Sequence, residues 1–180
     1  FLVRLREMII EPPQGWINQV EGERLPNEKV HNKYGYYEDK STYKAFEDYK
    51  PNQRPFILSR SGYSGFQKYA TTWTGDNASS WEDMRQSIPM LLNLGLSGVP
   101  FVGPDVGGFS GDVEPELLTR WIQLGTFYPF FRNHSMIHTA PQEPWVFGEP
   151  YTSINRKYIQ LRYKIMPYLY RLFHEANQTG

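Results

Sequence analysis

Four short polar tips each follow a β-rich run: Ser59-Arg60-Ser61, Trp73-Thr74-Gly75-Asp76-Asn77, Gly103-Pro104-Asp105-Val106-Gly107-Gly108-Phe109 and Arg132-Asn133-His134. Together they offer two carboxyl groups, several cations or hydrogen-bond donors, and aromatic rings. Asp76 lies close to Trp73, whose indole lowers local polarity and helps keep a carboxyl protonated near neutral pH, so Asp76 could serve as a general acid and base. Asp105 precedes Gly107-Gly108, which permit a tight backbone path close to a ligand. Arg60 and His134 could hold hydroxyl groups and tune the carboxylates, while Trp73 and Phe109 carry the flat apolar faces that stack on a sugar ring. Each residue also has a plainer reading. An aspartate after a strand is often a turn former or helix cap, a lone arginine or histidine often pairs with a buried acid, and an aromatic ring is often core. Four strand ends in register favour the chemical reading, with Arg60, Asp76, Asp105 and His134 around one sugar-sized hollow.

Other chemistries find less support. No cysteine is present, so thiolate metal sites, disulfides and cysteine nucleophiles are excluded, while the compartment stays open. The histidines lack paired ligand spacing on a helix, and no metal or other cofactor is expected. Ser64 has Gly62 two residues before it but Phe66 two after, so it is not a nucleophile elbow. Lys+Arg and Asp+Glu balance at 19 each, which gives no single-sign field to attract nucleic acid or an anionic membrane; a neutral partner fits better. The apolar runs fall far short of the roughly 18 residues of a membrane span. The opening Phe-Leu-Val-Arg-Leu-Arg-Glu does not read as a signal peptide, and without an initiator methionine the chain reads as a piece of something longer.

The elements that must position these tips follow from periodicity. Of the 180 residues, 39% are hydrophobic and 16% aromatic, ample for a core. Strands are expected over 54–59, 69–74, 99–103 and 127–131, and helices over 37–49, 81–96, 115–124 and 154–173. Ser79 or Ser80 should cap the second helix ahead of Glu82-Asp83. The last presents Ile154, Tyr158, Leu161, Ile165, Leu169 and Leu172 on one face toward a core, and Pro167 should kink or divide it. Alternating strands and helices with no glycine-rich phosphate loop argue for an α/β protein of the (β/α)8 TIM barrel kind. A whole barrel takes about 250 residues, so only its second half is expected here. Residues 1–36, with Pro12-Pro13, Gly15, Gly22 and Pro26, read as an irregular loop segment following an upstream barrel strand, and residues 37–180 as the half barrel itself.

Phe56-Ile57-Leu58-Ser59-Arg60-Ser61, Trp73 through Asn77, Gly98 through Phe109, and Arg120-Trp121-Ile122-Gln123-Leu124-Gly125 through Phe130-Phe131-Arg132-Asn133-His134 resemble, in order and approximate spacing, glycoside hydrolase family 31. The resemblance to these retaining α-glucosidases and their relatives covers roughly residues 27 to 180. It implies double-displacement cleavage of an α-glucosidic bond at the non-reducing end, with Asp76 as general acid and base. Arg60, Trp73, Asp105, Phe109 and His134 match the residues that line the sugar subsite. The implied partners are an oligosaccharide or α-glucoside substrate and the remainder of the catalytic domain upstream. A transglycosylase or lyase relative, or a catalytically incompetent carbohydrate-binding or scaffold protein on the same fold, is the alternative.

The resemblance also implies a nucleophile within Trp-x-Asp-Met-Asn-Glu-Pro, distinct from Asp105. Laying Glu11-Pro12 on that Glu-Pro puts Met8 at the nucleophile position, and Glu7 matches only after a one-residue slip. The nucleophile is therefore lost, replaced or absent from this chain, with loss or truncation preferred over replacement by Glu7. Residues 138–145, His-Thr-Ala-Pro-Gln-Glu-Pro-Trp, depart from the family as well, which more often has an acid first and an arginine before Glu-Pro-Trp.

Overall fold

The structure, a computed structural model, describes residues 17–179. It opens with strands β1 (Ile17–Val20) and β2 (Glu23–Pro26), paired antiparallel with Ile17 opposite Pro26 and Val20 opposite Glu23. Glu21 and Gly22 take φ of 50° and 90°, the left-handed pair that a two-residue hairpin turn requires. Residues 17–26, expected as irregular loop, are thus a hairpin. The signal was the Glu21-Gly22 pair, a two-residue turn between two short runs. A single turn α1 (Asn27–Val30) and a 3-10 turn (His31–Lys33) lead into α2 (Tyr34–Tyr49), which starts three residues before the expected helix.

Helix α3 (Trp81–Leu96) has the expected bounds, and Ser80 is its cap, its hydroxyl accepting the Asp83 N–H at 3.1 Å. Ser79 instead braces the neighbouring segment, with its hydroxyl 3.0 Å from the carbonyls of Gly107 and Gly111. Helix α4 (Pro115–Gly125) places proline at its first turn, where the missing N–H is harmless, and buries Leu117, Leu118, Trp121 and Ile122. These side chains meet Leu91 of α3 with Val102, Val106, Val113 and Tyr128 in the main core. Helix α5 (Tyr151–Thr179) lays Tyr158 and Ile159 against that core.

Two expectations for α5 change. Pro167 does not divide the helix; the carbonyl it leaves unbonded belongs to Tyr163, which is exposed, so water can satisfy it. Nor is the expected apolar face buried throughout, since Leu172 is exposed and the other residues of that face are half-buried among the described residues.

The first three expected strands are largely extended segments stitched at single points, whereas residues 127–130 are turns and bends that follow α4, with Phe127 N–H to Leu124 O at 3.1 Å and Tyr128 N–H to Gly125 O at 3.0 Å. Leu58 and Thr71 form a parallel bridge, with Ser59 N–H to Thr71 O and Thr71 N–H to Ile57 O both at 2.9 Å. Thr74 N–H reaches Gly103 O at 3.0 Å, and Phe130 N–H reaches Val102 O at 3.2 Å. A two-residue ladder forms only where β3 (Asp105–Val106) meets β4 (Arg132–Asn133), in parallel. The four segments are thus neighbours in chain order, the arrangement a (β/α) barrel requires. Their ladders are short because Pro55, Pro100, Pro104 and Pro129 cannot donate. The last two pair just beyond the expected runs, so Asp105 and Arg132 stand on strands rather than after them.

Gly103 marks how closely the third and fourth segments approach, because a Cβ there would lie 2.0 Å from Phe130 O. From α5, the Arg162 guanidinium donates to the carbonyls of Thr126, Tyr128 and Pro129, which pins the approach to β4.

Leu118 is fully buried in this core. Leu118→Ala is expected to lower unfolding free energy by about 2–5 kcal/mol in chemical denaturation, through lost burial and the cavity left behind. A loss below about 1 kcal/mol would show that the α4 face is not the core.

Candidate active site

Asp105 has no exposed side-chain surface, yet it carries a carboxylate at the start of β3. Arg132, its neighbour across the parallel ladder, donates from Nη2 to Asp105 Oδ1 at 2.8 Å. Removal from water pushes the Asp105 carboxyl above its ordinary value. The Arg132 hydrogen bond and charge and the positive field of His134 oppose the shift, and the Asp76 charge adds to it.

The second acid is paired independently. Arg60 reaches Asp76 through two donors, Nη2 to Oδ2 at 2.8 Å and Nη1 to Oδ1 at 3.4 Å, a fork that fixes the carboxylate plane. This pair is open to water on the arginine side, where Arg60 is 45% exposed and Asp76 13%. Trp73 joins the two pairs: the Arg132 guanidinium lies 5.0 Å from its ring and the Arg60 guanidinium 5.8 Å.

Gly75 makes this proximity possible. A Cβ there would lie 2.0 Å from Asp105 Oδ2 and 2.6 Å from Trp73 Nε1, so only glycine lets both approach the chain beside Asp76. Asp105 Oδ2, Trp73 Nε1 and Arg132 Nε are all buried without a hydrogen-bond partner among the described residues. On the far side of Asp105, Gly107 and Gly108 take φ of 97° and 93° and carry the chain to Phe109, whose ring lies 5.3 Å from that of His134.

The six residues singled out from sequence therefore lie near one another: Arg60 pairs with Asp76, Asp105 with the further residue Arg132, and Phe109 with His134, while Trp73 sits beside both arginines. Two cavities, of about 510 and 860 Å³, lie elsewhere; neither is lined by Arg60, Asp76, Asp105 or His134. Glu7 and Met8, and with them the question of the nucleophile, lie outside the described residues.

Three contributors went unassigned at the sequence level. Arg132 stood in a strand-end tip, but its partner is visible only across the ladder. Asn77 binds the Asp105 backbone from both sides. Gln142 is buried, donates to Asn133 Oδ1 at 2.7 Å, and accepts at its backbone carbonyl from Asn133 Nδ2 at 2.7 Å. This exchange ties the divergent 138–145 stretch to the end of β4.

A model of the glycosyl hydrolases family 31 TIM-barrel domain matches residues 7–172. Alpha-glucosidase 2 of Bacillus thermoamyloliquefaciens is 52% identical over 164 residues, which make up 91% of this chain and 21% of that protein. A probable glucan 1,3-alpha-glucosidase of Arabidopsis thaliana is 50% identical over 157 residues, 87% of this chain and 17% of the relative. The crystal structure of a family 31 alpha-glucosidase from Bacteroides thetaiotaomicron superposes with a TM-score of 0.81 at 45% identity, covering 91% of this chain and 28% of that one. The chain spans about a fifth of the length of the curated relatives it matches.

Arg132→Met removes the cation bonded to a fully buried carboxylate. A carboxyl with a raised native pKa costs stability above that pKa, and the cost fades as pH falls toward the unfolded value of about 3.9. Without Arg132 the native pKa rises further. The variant should therefore lose about 3–5 kcal/mol at neutral pH, with the deficit shrinking toward pH 4. Thermal melts across that range check it, and a pH-independent deficit would count against a charged Asp105.

Proposed function

The chain belongs to glycosyl hydrolase family 31, and on that premise we propose that it supplies the second half of the TIM-barrel catalytic domain of a retaining, α-glucosidase-type glycoside hydrolase. Its substrate is an oligosaccharide or other α-glucoside, cleaved at the non-reducing end. One observation carries the reading: two Arg–Asp pairs flank Trp73 and Gly75 at the tips of neighbouring parallel segments.

In this reading Asp76 gives its proton to the glycosidic oxygen as the bond to the anomeric carbon breaks, and later takes a proton from the attacking water. Arg60 sets the plane of the Asp76 carboxyl so that one oxygen can face the leaving group. The attacking carboxylate belongs to a part of the protein outside the described residues. Retaining chemistry places it about 5–5.5 Å from Asp76.

Asp105 and His134 hold sugar hydroxyls. Trp73 and Phe109 offer ring faces to the apolar side of the pyranose. The names of the relatives, two of them α-glucosidases and one a glucan 1,3-alpha-glucosidase, favour an α-linked glucose at the cleaved bond.

Asp76→Asn in the full-length protein that carries this chain should lower kcat/KM on an α-linked glucose disaccharide about 10²–10⁴-fold. Azide needs no general base, so it should restore turnover of an activated aryl α-glucoside and yield the α-glycosyl azide. A β-azide would make Asp76 the nucleophile, and turnover within about threefold of wild type would remove it from the chemistry.

A further inference from the structure

Between the segment carrying Asp76 and the segment carrying Asp105, the main chains share one rung, Thr74 N–H to Gly103 O at 3.0 Å. They meet again from Asn77 O onward, where that carbonyl accepts the Phe109 N–H at 2.6 Å and the Ser110 N–H at 3.4 Å and Ser79 N–H bonds Ser110 O at 2.8 Å, around the Ala78–Ser110 bridge. In the gap, the N–H groups of Gly75, Asp76 and Asn77 make no main-chain bond to that neighbour among the described residues. The Asn77 side chain fills the gap. Its Oδ1 accepts the Asp105 N–H at 2.9 Å and its Nδ2 donates to the Asp105 carbonyl at 2.9 Å.

A primary amide presents the same donor and acceptor as a peptide group, so this exchange is a strand rung made by a side chain. It frees the Gly75-Asp76 backbone from the ladder and lets the Asp76 carboxyl turn to Arg60. The backbone of the same residue holds a third member of the site, since Asn77 O accepts the Phe109 N–H at 2.6 Å. One residue thus follows the acid in the chain, clasps the backbone of the buried aspartate, and anchors the stacking ring.

We propose that Asn77 is the positioning residue that holds Asp76 in register with Asp105 and Phe109. The proposal rests on the reading of Asp76 as general acid and base. The Asp105 N–H and carbonyl accept no substitute geometry for the amide, because a shorter or apolar side chain cannot span both groups. Without Asn77 the Asp76 tip can shift relative to the sugar-binding edge, and displacement of an acid by about 1 Å costs on the order of 10²-fold in rate.

The test compares two substrates in the full-length protein: an α-linked disaccharide, whose leaving sugar needs protonation, and a 2,4-dinitrophenyl α-glucoside, whose leaving phenolate does not. In Asn77→Ala, kcat/KM on the disaccharide should fall about 10–100-fold, and the activated-to-unactivated ratio should rise at least about tenfold. A merely structural role lowers both substrates by one factor, through the fraction of folded protein. Equal losses, or no loss, overturn the proposal. Asn77→Ser, whose hydroxyl leaves space for a bridging water, is read by the same ratio if the alanine variant does not melt like wild type. If neither variant does, Asn77 serves folding alone and the proposal fails. Asp76→Asn, run alongside, separates the premise: no selective loss on the disaccharide there sinks the acid assignment, whatever Asn77 does.

Discussion

A carboxylate sealed from water must be compensated where it lies, and Asp105 sets that condition for the whole site. Its charge is met by Arg132 from the adjacent strand, and its backbone by Asn77 from the segment on the other side. Arg132 reaches it only because β3 and β4 run parallel in one register, and β4 keeps that register partly because Arg162 grips the carbonyls leading into it. Burial of that guanidinium lowers its pKa, and three peptide carbonyls satisfy its donors. A chain of charge and dipole satisfaction therefore runs from α5 through β4 to the buried acid.

The neighbouring acid has a different environment by design of the same backbone. Asp76 is paired with an arginine that remains half in water, whereas Asp105 is paired inside the protein. Asp105 feels the Asp76 charge, so two aspartates that lie near each other are held in different surroundings. Trp73 and the missing side chain at Gly75 let the two pairs sit side by side.

The sparse strand ladders explain why side chains carry so much of the framework. Prolines in three of the four extended segments remove donors, and the gaps are taken up by Asn77 and by the Asn133–Gln142 exchange. Such rungs hold a strand tip while leaving its main chain free to turn toward a ligand. The Gln142 rung also gives the divergent 138–145 stretch a structural role, independent of whatever it contributes to the rim of the site.

The longer helices were legible in kind and approximate extent, because a cap, a 3.6-residue period and a helix length all lie within a local window: Ser80 with Trp81–Leu96, and Pro115 opening α4, are cases in point. The polar tips were legible for a related reason, since the types clustered at Trp73–Asn77 and Gly103–Phe109 announce chemistry without any contact being known. The register of β3 on β4 was not, because it is decided by which main chains meet, and prolines spread through the runs blur the period-2 signal. The hairpin at Ile17–Pro26 is masked in the sequence because its Glu-Gly turn sits among prolines and glycines that suit a loop equally well. By itself the sequence determined the helices, the chain order of the segments and the polar and aromatic side chains clustered at their tips, all properties of neighbours along the polymer. Only the tertiary structure decided that Arg60 belongs to Asp76 and Arg132 to Asp105, and that an asparagine amide replaces a backbone rung between them. Those pairings span 16 to 28 residues, and charges so far apart in the chain choose partners by where the folded backbone sets them and by how much water it excludes.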